Sequence, residues 1–348
     1  MGTSNLGPSK DIFKDQLWCE CSNCGCLQLT ELIPLELLYA GSHNDVVGAT
    51  WRRHHENFAS FVLQANINGI CEIGAAHGYL SNLLLKQIYT PYTIIEPNEN
   101  EYATGVVHVK GFVEENIDLI SECNTVVHSH VLEHVYSPVD FLKSISEKMI
   151  SGSNLFISFP NIERLIEVDG SNALNFEHTY YLHPVQLDFI LRNLGLDIIQ
   201  IKKFEQHSFF YWLQKNNSDI EFGIDYADVP NMSKFSHKWY DFWRSLESFT
   251  LQVNNTLDKT DLPTYLFGAH IFSQTLISLG LRQEKILGVL DNSSNKQGQR
   301  LYGTPWNVFS PEVIADKDKV QVILKASHYQ DEIRDQLKKL NPKVVIFE

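Results

Sequence analysis

The 348-residue chain predicts an α/β fold in parts: a small cysteine-containing N-terminal segment, a central strand–turn–helix core and a smaller C-terminal α/β domain. Three observations carry this prediction. The apolar strand Ile70-Cys-Glu-Ile ends in a turn holding Gly74 and Gly78 and runs into the helix-like Ser81-Asn-Leu-Leu-Leu-Lys. A second strand, Tyr92-Thr-Ile-Ile-Glu-Pro, follows and ends in Glu96. Beyond Pro263 another strand–glycine–helix unit appears, with strands expected at 264–267, 286–290, 320–324 and 343–347. A chain this long exceeds one ordinary core, so two domains with accessories are expected. The divisions fall at 1–45 (cysteine segment), 46–215 (core), 216–260 (linker and aromatic helix) and 261–348 (C-terminal domain).

At the N-terminus, Cys19, Cys21, Cys24 and Cys26 lie within eight residues. The start Met1-Gly-Thr-Ser has neither the basic nor the apolar region of a secretory leader, and no apolar run approaches the ~20 residues of a membrane span. A cytoplasmic protein with no membrane partner is expected. In that compartment a Cys-x-x-Cys-Gly knuckle suits zinc better than a disulfide, with Cys21 and Cys24 as the ligands. A structural zinc normally draws on two knuckles, so an empty half-site is the alternative. Cys71 and Cys123 sit in apolar, strand-like contexts and read as buried. The net charge of −14, with only 28 Lys and Arg, argues against nucleic acid as a partner, because phosphate backbones need a basic surface.

The core follows in order. Glycines in the turn after the first strand remove the Cβ atoms that would hold a ligand away from backbone N–H groups and the helix N-terminus. Glu96 ends the next strand, where a carboxylate can hold both hydroxyls of a ribose. The spacing is Glu-x-Gly-x-x-x-Gly, not the Gly-x-Gly-x-x-Gly of dinucleotide sites, so a nucleoside-containing cofactor without that pyrophosphate cradle is expected. After the strand-like Val126-Val127-His128 come a helix over 139–149, the strand Asn154 to Pro160, a helix opened by Pro184 and closed by Gly195, and the strand 196–201. Leu187, Ile190, Leu191 and Leu194 share one face of the Pro184 helix and are core. Ser208 to Gln214 reads as a buried edge of the sheet. Polarity rises from 216 to 231, a connection between domains. Trp239, Phe242, Trp243, Leu246 and Phe249 then recur at helical spacing, a packing seam against another domain or a second subunit, so a homodimer is one expectation.

Acid-x-Gly-x-x-x-Gly, with Glu96, Gly111-Phe112-Val113-Glu114 and Val126 to His134 in sequence, resembles the class I S-adenosylmethionine-dependent methyltransferases. Their cofactor carries an amino-acid tail and no phosphate. The resemblance implies a Rossmann-like core and a cofactor site at Glu72, Gly74, Ala75, His77, Gly78, Glu96, Pro97, Phe112, Ser129 and His130. Over most of the chain a narrower resemblance holds, to bacterial methyltransferases of nucleotide-linked sugars and heptoses, whose C-terminal domain is also Rossmann-like. It rests on Cys21-x-x-Cys24-Gly-Cys-Leu-Gln28, Tyr39-Ala-Gly-Ser-His43-Asn44, Asn175-Phe-Glu177-His178-Thr-Tyr180-Tyr181, Tyr265-Leu-Phe-Gly268 and Asp291-x-x-x-x-Lys296-Gln-Gly298. The family's first cysteine pair has no counterpart, and Asn175 stands where the family has a tyrosine.

Methyl transfer from a sulfonium is an in-line displacement in which an attacking hydroxyl loses its proton, so a well-placed base is needed. His178, beside Glu177, is implied as that base. Neighbouring residues point in different directions, so Glu177 is equally suited to binding a substrate hydroxyl. His130 and His134 should border the same crevice beyond the strand ends. The acceptor, a nucleotide-activated sugar bound for a surface polysaccharide or a glycoside, would meet Tyr39, His43, Asn44, His134, Asn175, Tyr180 and Tyr181. Asn175 tilts the expectation towards O-methylation over C-methylation of a ketosugar. The run Trp51-Arg-Arg-His-His-Glu56 reads either as a flap or as an amphipathic helix with Trp51 buried. A nicotinamide-dependent sugar oxidoreductase and a non-catalytic assembly protein are the rival classes.

Overall fold

The computed structural model describes residues 2–38, 49–167, 175–216, 224–326 and 330–348. Its contacts divide the chain into two units, Leu17–Arg164 with Phe176–Ser236, and Met1–Gln16 with Leu165–Asn175 and His237–Glu348. The division therefore does not follow the four consecutive segments expected from sequence.

The first unit is built on seven strands: β1 Ile70–Ile73, β2 Tyr92–Glu96, β3 Val106–Lys110, β4 Thr125–Ser129, β5 Asn154–Pro160, β6 Leu196–Phe204 and β7 Ser208–Lys215. Their order is β3-β2-β1-β4-β5-β7-β6. The pairs β1–β2, β1–β4, β2–β3 and β4–β5 are parallel, whereas β7 runs antiparallel to both β5 and β6. This is the Rossmann-like α/β core that the sequence predicts. All four residues of β1 and six of the seven in β5 are buried, as strands covered on both faces must be. β7 lies inside the sheet and not at its edge, which is β6; the poor alternation of β7 reflects burial on two sides.

Successive side chains feed opposite layers. Val127, Phe156 and Phe210 pack with Phe58, Phe61 and Val62 of helix α1 (Ala49–Val62) and Leu80 and Leu84 of α2 (Tyr79–Leu85). Their neighbours Val126, Leu155, Ile157 and Tyr211 face Phe141, Leu142 and Ile145 of α3 (Pro138–Lys148) and Leu187, Ile190 and Leu191 of α4 (Pro184–Asn193). A capping box starts α4: the His183 ring accepts from the Val185 N–H, the Gln186 side chain accepts from the His183 N–H, and Pro184 takes the first helical position. A separate three-stranded sheet joins Trp18–Glu20, Leu27–Leu29 and Tyr180–Tyr181.

The second unit has a five-stranded, wholly parallel sheet in the order Val308–Phe309, Ile286–Leu290, Thr264–Phe267, Gln321–Ile323 and Val345–Phe347. The N-terminal residues belong here because Thr3 and Ser4 pair with Leu301 and Arg300, and because Asp11 receives a two-pronged hydrogen bond from Arg300 at 2.7 Å on each oxygen. Phe249, Val253 and Leu257 of helix Ser233–Leu257 lie in this unit's core, and Trp239, Phe242 and Leu246 are also buried within the single chain. Four of the five stripe residues are thus buried within the single chain, and Trp243 is half-buried. No described helix is long and apolar enough to cross a membrane.

Candidate active site

Strand order reverses at β1, which has β2 on one side and β4 on the other, and a crevice opens beyond the carboxyl ends of such strands. The turn after β1 is tight. Gly74 has φ +70°, and a Cβ there would come within 2.5 Å of Val131 Cγ2. Ala76 also takes positive φ, +45°, and its carbonyl is held by Asn100 Nδ2 at 2.9 Å and the Tyr102 hydroxyl at 3.0 Å. That bracing orients the Ala76 N–H, which donates to Glu96 Oε2 at 3.1 Å, while the Asn98 N–H donates to Oε1 at 2.9 Å. The carboxylate is fixed before any ligand arrives.

Glu96 lies in the wall of a cavity of about 660 Å³, which is also lined by Gly74, Pro97, Phe112, His130, His134 and Glu177. Of the residues expected at the cofactor and acceptor, these seven are brought together. Glu72, Ala75, His77, Gly78, Ser129 and His178 do not line it. Glu72 is buried behind the turn, where its carboxylate accepts from the Tyr92 hydroxyl at 2.6 Å and burial pushes its carboxyl up to about 7. His77 turns outward to Asn100 Oδ1 at 3.0 Å. Gly78 caps α2 with φ +67° and lies against Tyr102, where a Cβ would sit 2.6 Å from Cδ1.

Tyr180 and Tyr181 are not acceptor contacts. Both are buried, the Tyr180 hydroxyl donates to the Leu132 carbonyl, and Tyr181 stacks on Trp18 with ring centroids 4.8 Å apart. They form a strand, and the same aromatic character that reads as a pocket in sequence here serves packing. Asn175 belongs to the other unit. Tyr39, His43 and Asn44 fall outside the described residues.

The polar cluster after β4 is assembled by that short strand. The Thr179 N–H donates to the Glu133 carbonyl at 3.2 Å and its hydroxyl to the Val135 carbonyl at 3.0 Å, which docks the Glu177–His178 segment on residues 132–135. Glu177 Oε2 comes to 3.8 Å from His134 Nδ1, and the His178 ring lies 5.0 Å from that of His134. The carboxylate therefore partners His134, not the adjacent His178. Burial holds the His178 imidazole well below its ordinary range, with the neighbouring His134 and His130 acting the same way.

His130 has φ +54°, with Nδ1 2.9 Å from Glu133 Oε1 and Nε2 2.9 Å from Ser208 Oγ. Burial, before any charge effect, keeps this ring neutral and lifts Glu133 to about 7. Sequence reasoning missed His54 and His207, which approach His130. His54 belongs to the run noted as a flap or helix, and it is a helix, α1, with that histidine fully buried. Nothing local marks His207.

At the N-terminal knuckle the Cys24 N–H lowers the Cys21 thiol, and burial raises Cys24. Burial pushes Cys26 up to about 12, and its thiol donates to the Tyr181 carbonyl at 3.5 Å. Among the described residues two groups of three metal-type ligands gather within 4.8 Å, and neither includes a cysteine.

The chemistry of the cavity suits S-adenosylmethionine: a strand-end carboxylate held in place by two backbone N–H groups, beside a glycine turn and apolar wall residues. Residues 51–201 match the family described as a methyltransferase domain. No curated protein matches the chain. Solved structures similar to part of it include Burkholderia thailandensis 1,6-didemethyltoxoflavin-N1-methyltransferase with bound S-adenosylhomocysteine, at 12% identity over 57% of this chain and 99% of that one, TM-score 0.41. Human N-acetylserotonin methyltransferase in complex with S-adenosylmethionine shares 13% identity over 53% of this chain and 59% of that one, TM-score 0.40. The N-methyltransferase NodS of Bradyrhizobium japonicum shares 10% over 50% and 100%, TM-score 0.36. Likeness this slight bears on neither acceptor nor mechanism. The match, with the Rossmann-like sheet it covers, makes residues 51–201 an S-adenosylmethionine-dependent methyltransferase domain.

Proposed function

We propose that this methyltransferase acts on a hydroxyl of a nucleotide-linked sugar, with His134 as the proton acceptor. When bound, S-adenosylmethionine supplies an electrophilic methyl on a sulfonium. Glu96 holds its ribose, Phe112 and Pro97 offer apolar surface beside that sugar, and Gly74 gives the backbone clearance. As the acceptor oxygen bonds to the methyl and the methyl–sulfur bond breaks, releasing S-adenosylhomocysteine, the hydroxyl proton would pass to the His134 ring, with Glu177 at 3.8 Å to stabilise the imidazolium. His178 packs against His134 from outside the cavity wall and acts as a positioning residue.

The observation that carries this reading is that Glu96 and the His134–Glu177 pair line one cavity, at the ends of strands flanking β1. The sugar assignment is supported by the Glu177-His178 and Asp291-x-x-x-x-Lys296-Gln-Gly298 motifs and by the acids Glu114, Glu115 and Asp140 in the wall, which suit hydroxyl donors. Among the described residues no Lys or Arg lines that cavity, and this reading therefore puts the phosphates of such a substrate outside it. Incubation with methyl-labelled cofactor and a panel of nucleotide sugars should label one class of sugar. Label only on unphosphorylated small molecules refutes the acceptor assignment. A general base contributes about 10²–10⁴ in rate, so His134→Ala should lose that factor in kcat while His178→Ala loses less; the reverse order returns the proton to His178.

A further inference from the structure

We propose that His54, His130 and His207 form a binding site for one divalent first-row transition-metal ion, zinc being the simplest case. The inference goes beyond methyl transfer and does not depend on the acceptor. The three imidazoles come from distant elements, the middle of α1, the end of β4 and the turn between β6 and β7, yet one ring nitrogen of each lies within 4.8 Å of the others. Tetrahedral zinc with Zn–N bonds near 2.05 Å sets its nitrogens about 3.4 Å apart, so the cluster closes on an ion by ring movements of about an ångström.

The ring nitrogens are sorted for ligation. His130 Nδ1 is committed to the Glu133 carboxylate at 2.9 Å, the carboxylate–histidine pairing that fixes the tautomer of a metal ligand, and so Nε2 would ligate, releasing the Ser208 hydroxyl. His54 Nε2 is engaged by Ser158 Oγ at 2.8 Å, while its Nδ1 is buried with no hydrogen bond and would be the ligating atom. His207 Nδ1 lies 2.5 Å from Ser208 Oγ, which ties the third ring to the same hydroxyl. Trp51 sits edge-on to all three rings, with centroids 4.8 Å from His130 and His207 and 5.3 Å from His54, and limits access by water. An all-imidazole donor set selects zinc, copper, nickel or iron over magnesium and calcium. His130 also lines the cavity, so a fourth position would open towards it.

The probe is Co²⁺, added to chelator-stripped full-length protein, with Zn²⁺ as the competitor. One equivalent of Co²⁺ should bind with visible d–d absorption and no sulfur charge-transfer band, and Zn²⁺ should displace it. The absorption should vanish in His207→Ala, a turn variant spared the core disruption of His54→Ala, and should persist in Cys21→Ser/Cys24→Ser and in His178→Ala. Glu133→Gln should weaken binding about 10–100-fold. No Co²⁺ bound, a sulfur band lost with the cysteines, binding retained in His207→Ala, or binding lost in His178→Ala would each overturn the site. The last outcome would move the ion to Glu133, His134 and His178, the other group within 4.8 Å.

Discussion

Glu72→Gln isolates the energetic cost of one buried carboxyl. Burial raises the Glu72 carboxyl from 4.5 to about 7, against the opposing hydrogen bond from Tyr92. A carboxyl raised on folding holds its proton more tightly in the native than in the unfolded state. Its cost is absent below about 4.5, grows as pH rises, and is complete above about 7. At about 1.4 kcal/mol per pH unit, that gap amounts to roughly 3 kcal/mol. Glutamine keeps an oxygen to accept from Tyr92 but carries no charge, so the variant should match the wild type near pH 4 and exceed it by about 3 kcal/mol near pH 8. For domains of this size the difference is roughly 6–12 °C in Tm. Thermal unfolding of both proteins across that range measures it. Parallel stability curves, with no divergence between acid and neutral pH, would refute the reasoning and put an ionised, solvated Glu72 in its place.

Gly74→Ala places a methyl 2.5 Å from Val131 Cγ2 at φ +70°, and should cost about 1–3 kcal/mol of stability and weaken S-adenosylhomocysteine binding; a silent substitution in melting and calorimetry contradicts the turn geometry. Tyr180→Phe removes the hydroxyl bonded to the Leu132 carbonyl and should lower stability by about 1–3 kcal/mol with KM for the acceptor unchanged; a raised KM at unchanged stability would restore Tyr180 to the acceptor site. Asp11→Asn breaks a pair in which the Asp11 side chain is 1% exposed, and should destabilise the second unit by about 3–5 kcal/mol, read by calorimetric unfolding. An unchanged transition would show that the N-terminal residues are not tied there.

Much of the core was legible because parallel strands covered on both faces read as unbroken apolar runs. Ile70–Ile73, Asn154–Pro160, Thr264–Phe267 and Ile286–Leu290 fall where the runs do. Glu96 was legible for the same reason, since a strand end followed by a proline leaves one acid with a defined position. What escaped depends on contacts distant in sequence. Asp11 meets Arg300 across 289 positions, and no local pattern announces that the first residues pack with the last domain. The exchange of Glu177 from His178 to His134 depends on Thr179 docking against Glu133 and Val135, a register that spacing alone does not encode. His54, His130 and His207 come from three unconnected segments and become one cluster only when α1 covers the sheet.

Titration calorimetry with S-adenosylhomocysteine, on the wild type and Glu96→Ala side by side, tests the cavity most directly. Binding at one site, with affinity reduced about 10–100-fold by the substitution, is the result expected from a carboxylate bonded to ribose hydroxyls at roughly 1.5–3 kcal/mol. Equal affinity in the two proteins, or heat only with a nicotinamide nucleotide, would contradict the placement of the methyl donor.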